Sequence, residues 1–86
     1  MQYILNIEEY DKKNGVQLKW VDNYKIKVVN TNGETVIMAN NEGLLSLANH
    51  LVSIAQSKVP ESTHIHLDEY NSLEEGSSEL IIQKIK

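Results

Sequence analysis

The sequence contains no cysteine, no arginine and a single proline, and each shortage excludes something. Without cysteine there is no disulfide, no thiolate nucleophile and no sulfur-rich zinc site. All eight basic residues are lysine, so the planar fork that reads phosphate and guanine bidentately is missing. Twelve acidic residues against eight basic ones leave a formal charge of −4, a field that repels a phosphate backbone. No nucleic-acid partner is therefore expected. No apolar run approaches the ~20 residues needed to cross a bilayer, and "MQYILNIEEYDKK" lacks the basic start and apolar stretch of a secretory leader. No membrane association is expected, and the cytoplasm is the expected location.

What is present is the balance of an ordinary globular domain, 41% hydrophobic and 23% charged residues. Eighty-six residues suffice for one core, so residues 1–86 are expected to form a single domain. "QYILNIEEY" and "VQLKWV" have strand-like alternation and are separated by the turn signal Asn14-Gly15. "YKIKVVN" and "ETVIMAN" read as a hairpin closed by Thr31-Asn32-Gly33. The period then changes. Leu44, Leu47, Ala48, Leu51, Ile54 and Ala55 share one face of a helix, which Asn40 or Asn41 can cap and which ends near Lys58 and Pro60. "THIHLD" and "ELIIQKIK" close the chain as strands. The order βββ(β)αββ predicts an α+β two-layer domain, one antiparallel sheet of about five to six strands with one helix across a single face.

The polar face of "THIHLDEY" carries the chemistry. Ile65 and Leu67 should point to the helix, leaving His64, His66 and Asp68 on the opposite face. His-x-His on a strand places the two residues about 6.5 to 7 Å apart, and an aspartate could add oxygen. A zinc site needs three or four converging ligands, and His50, on the polar flank of the helix, would lie across the sheet. His64, His66 and Asp68 are thus better read as a solvated or partner-facing surface, with a metal-binding or hydrolytic site on the same three residues as the alternative. No serine lies in a nucleophile-elbow setting and the four glycines are scattered, so neither an enzyme nor a nucleotide site is indicated and no cofactor is expected. Glu74, Glu75 and Glu79, following Asp68 and Glu69, form an acidic cluster suited to a basic partner protein. Homodimerisation through the edge strand "ELIIQKIK" is a further possibility for the fold.

The run "NEGLLSLANHLVSIAQSKVPESTHIHLDEYNSLEEGSSELII" resembles the bacterial immunity protein 32 family. The resemblance rests on Glu42-Gly43-Leu44, Leu47-Ala48, Leu51, Pro60, His64-x-His66-Leu67-Asp68, Leu73, Gly76-Ser77 and Glu79-Leu80-Ile81-Ile82, about half the chain. It implies a small non-enzymatic cytoplasmic protein that binds and blocks a cognate polymorphic toxin. On that reading His64, His66, Asp68, Glu74 and Glu75 are expected to form part of the surface that meets the toxin domain.

Overall fold

The computed structural model describes residues 1–86. Its regular elements are β1 (Ile26–Thr31), β2 (Glu34–Ala39), α1 (Asn41–Ala55), β3 (His64–Leu67) and β4 (Leu80–Gln83). The class is α+β, but the expected single sheet of five to six strands is not formed. Instead there are two separate two-stranded antiparallel sheets, β1-β2 and β3-β4.

The hairpin β1-β2 turns at Asn32-Gly33, both with positive φ (53° and 80°), the conformation that a two-residue hairpin turn demands. Its register sets Ile26 against Ala39 and Val28 against Ile37, so these four share the face turned to α1. Ile26 and Val28 are wholly buried and join Leu47, Ile54, Ile65, Leu67 and Leu73 in the core. The helix starts hard against this hairpin. Asn40 accepts the Gly43 amide at 2.8 Å and the Lys25 amide at 2.9 Å on one carbonyl oxygen, and donates to the Asn23 carbonyl at 3.0 Å. One cap thereby fixes the helix, the strand and the turn before it.

Two features explain why the sheet is split. The first is that residues 3–21 run without a ladder; the bridge Asp11–Gly15 is their only strand-like pairing. Helix side chains supply the missing partners. Val21 N–H donates to Ser46 Oγ, Tyr10 N–H to Gln56 Oε1, and the Asn49 and Gln56 amides donate to the carbonyls of Asn6 and Glu8. Backbone groups satisfied in this way have no need of a neighbouring strand.

The second is the strap formed by residues 74–78, which covers the free edge of β1. Glu74 N–H donates to the Ile26 carbonyl and Ser78 N–H to the Val28 carbonyl, so five residues of the strap stand against three of β1. Glu75 and Gly76 bulge out, Gly76 with φ 85°. At the bulge the Ser77 hydroxyl replaces a main-chain carbonyl as the acceptor for Val28 N–H. The ladder breaks there, and β4 begins afresh beyond it.

The helix is also rotated from the expected orientation. Its buried line is Gly43, Ser46, Leu47, Asn49, His50, Ser53 and Ile54. Leu44, Leu51 and Val52 lie about half exposed, at 53%, 47% and 44%. Ser46 and Asn49 face inward, where they bond Val21 and Asn6, and the Ser53 hydroxyl donates to the Asn49 carbonyl within the helix. Their hydrogen bonds outweigh the apolar moment that placed Leu44 and Leu51 inward.

Candidate functional site

β3 alternates as its sequence demands, with Ile65 and Leu67 buried and His64 and His66 exposed. Antiparallel pairing with β4 sets His64 against Gln83, His66 against Ile81 and Leu67 against Leu80. Continued one residue past Leu67–Leu80, this register brings Asp68 opposite Glu79. The two carboxylates and His66, diagonal to Glu79, therefore share the outer face.

The distances follow from that placement. His66 Nε2 lies 3.2 Å from Glu79 Oε2 and 3.7 Å from Asp68 Oδ2. Asp68 is held from behind: its Oδ1 accepts the amides of Tyr70 (2.9 Å) and Asn71 (3.1 Å), and its carbonyl accepts those of Asn71, Ser72 and Leu73. The free oxygen Oδ2 is thereby turned to the histidine. His66 is fixed in turn, since its carbonyl accepts the Asn71 side-chain amide at 3.0 Å.

Of the residues singled out in the sequence, the structure brings His66 and Asp68 together. His64 shares their face but stands two residues farther along the strand, and the third member of the cluster is Glu79. Glu79 was legible only as one acid among several, because its proximity depends on a register between strands whose starts are separated by a long irregular loop. Glu74 and Glu75 are exposed on the strap, Glu74 anchored to Ile26 through its amide. Glu69 accepts the Gly76 amide at 2.7 Å, which ties the strap back to the turn after β3. Tyr70 projects from this turn with 90% of its surface exposed.

His50 takes no part in this face. It is 0% exposed, with Trp20 edge-on to it, and neither ring nitrogen has a hydrogen-bond partner. Burial lowers its pKa from the ordinary 6.5, and the Lys19 backbone close by offsets only part of that effect.

The turn after β3, the strap and the residue before β4 carry the acidic surface residues Asp68, Glu69, Glu74, Glu75 and Glu79, with the Lys27 ammonium close to Gly76. Residues 34–85, more than half the chain and including all of those acidic residues, match the model of the immunity protein 32 family. The chain belongs to the immunity protein 32 family. Membership assigns it an immunity role, which in general is played by binding a toxin protein and not by catalysis. No curated protein and no solved structure matches the chain. No helix of this immunity protein is long and apolar enough to cross a membrane.

Proposed function

We propose that this immunity protein neutralises a cognate toxin by direct association, and that the surface built from His64, His66, Asp68, Glu74 and Glu75 is where the toxin docks. The observation that carries the reading is the charge of the 68–79 segment. It holds Asp68, Glu69, Glu74, Glu75 and Glu79 and no basic residue.

The acidic groups are also held in place. Glu74 is pinned to β1, Glu69 to Gly76 and Asp68 to its own turn, so the negative surface is largely preorganised and loses little entropy on docking. Such a surface complements a basic toxin face and accelerates encounter at low salt. Exposed Tyr70 supplies an aromatic anchor amid the acids. On this reading the cytoplasm, where the toxin would act, is where the protein works.

The test is co-expression with the toxin encoded by the neighbouring gene, followed by titration of the purified pair. Rescue of growth and a complex whose affinity falls with salt are expected. A Glu74→Lys, Glu75→Lys double variant should weaken the complex by at least about tenfold, mainly through slower association. Undiminished affinity in that variant, together with an unchanged triple alanine variant of His64, His66 and Asp68, would place the docking surface elsewhere.

A further inference from the structure

We propose that His66, Asp68 and Glu79 form a binding site for a divalent first-row transition metal such as zinc. The three donor atoms come from β3, the turn after it and the residue before β4, and all lie within 4.8 Å of one another.

Geometry is the first argument. Ligand atoms about 2.0 to 2.1 Å from a tetrahedral zinc stand about 3.3 to 3.4 Å apart. His66 Nε2 is already 3.2 Å from Glu79 Oε2 and 3.7 Å from Asp68 Oδ2. Closing the set requires His66 and Asp68 to approach by about 0.3 to 0.4 Å, and Glu79, whose side chain is 64% exposed, can follow.

Charge is the second. Register opposes two carboxylates across the strand pair, an arrangement that destabilises a sheet unless a cation lies between them. A divalent ion between the two carboxylates balances both charges, and an imidazole nitrogen can complete the ligand set. The imidazole also selects the class of ion, because nitrogen suits zinc and its neighbours while magnesium and calcium prefer all-oxygen sites.

Preorganisation is the third. Asp68 uses one oxygen for the Tyr70 and Asn71 amides and so offers the other in a fixed direction. His64 lies outside the set, and that makes the ligand assignment specific.

The inference does not depend on the toxin-binding reading, because it is tested on the free protein. Isothermal titration with zinc at neutral pH should show one saturable site, with a matching rise in melting temperature and no response to magnesium at equal concentration. His66→Ala and Glu79→Gln should each weaken binding by at least about tenfold, the loss seen even for outer-shell partners of metal ligands. His64→Ala should leave it intact. Both affected positions are exposed, and melting of the metal-free variants verifies that they fold. The proposal is overturned by the absence of saturable binding, by binding that survives either His66→Ala or Glu79→Gln, or by His64→Ala costing as much as His66→Ala.

Discussion

The ring of Trp20 meets the imidazole of His50 at 77°, with centroids 4.2 Å apart, and so closes the one fully buried titratable side chain of the helix away from water. Trp20 is stacked in turn on Tyr24 at 4.5 Å. The amino-terminal segment is thereby clamped over α1 by an aromatic pair seated on an unpartnered histidine.

That arrangement makes stability depend on pH. Burial lowers the pKa of folded His50 below the 6.5 of the unfolded chain. Between the two values the unfolded state binds more protons, so stability rises with pH through that window. The His50 contribution is therefore fully favourable above about pH 6.5, declines as the pH falls below it, and levels off beneath the folded value. Urea denaturation at pH 7.5 and pH 5 should show a loss that is smaller in His50→Leu. At pH 7.5 the same variant should be as stable as the parent or more so, because an unpaired buried polar group is replaced by an apolar one of similar size. An equal pH dependence in parent and variant would show that His50 is not the group responsible.

Gly43 should not tolerate a side chain, although alanine is the better helix former. A Cβ there would stand 2.5 Å from the Lys25 carbonyl oxygen and 2.9 Å from Ile26 Cγ1. Backbone oxygen cannot swing aside, so the helix must lift from the hairpin. Gly43→Ala should lower unfolding free energy by about 1 to 3 kcal/mol in spite of a propensity gain of about 1. Chemical denaturation would measure it, and a stabilised variant would mean that the hairpin yields freely.

Turn and cap chemistry is local and is written in the sequence. The β1-β2 hairpin was legible because Asn32-Gly33 is a turn with its own chemistry, and the helix because Asn40 caps an apolar period. The amino-terminal segment was not, because the strands its alternation predicts do not form. Leu5, Ile7, Val16 and Leu18 alternate as strand residues do, yet the acceptors and donors that satisfy their neighbours belong to Ser46, Asn49 and Gln56, which pass for a solvated helix flank. His50 shares that polar flank in the sequence and is buried for the same reason. At the candidate site the outward pointing of His64, His66 and Asp68 follows from period-two alternation alone. The approach of Glu79 does not, since it needs the pairing of Leu67 with Leu80.

Lys84 illustrates a related contribution. No basic residue stands in the last turn of α1, and the Lys84 ammonium from beyond β4 reaches the carbonyls of Gln56 and Val59 at 2.7 and 2.9 Å. It places a positive charge at the negative end of the helix dipole and ties the carboxyl-terminal segment to the helix end. Lys84→Met keeps the aliphatic stem and removes both bonds. A loss of about 1 to 3 kcal/mol is expected by denaturation, the usual range for hydrogen bonds to a charged group with a partly buried donor. No loss would show that water replaces the ammonium at no cost.

Asp68 and Glu79 face each other across β3-β4, and the consequence can be tested without any partner. Like charges opposed across a strand pair are unfavourable, and a lysine at position 79 would convert the opposition into an attraction. Glu79→Lys should therefore raise the stability of the metal-free protein by about 0.2 to 1 kcal/mol. The gain should shrink as salt is added, because Glu79 is exposed and its interactions are screened. Thermal melts in low and high salt at pH 8 make the measurement. A destabilised variant would mean that Glu79 already serves the fold through its 3.2 Å contact with His66, and the carboxylate pair would then need no function to account for it. A stabilised one would mark Glu79 as a residue kept at a cost to stability, which is the behaviour of a group retained for binding.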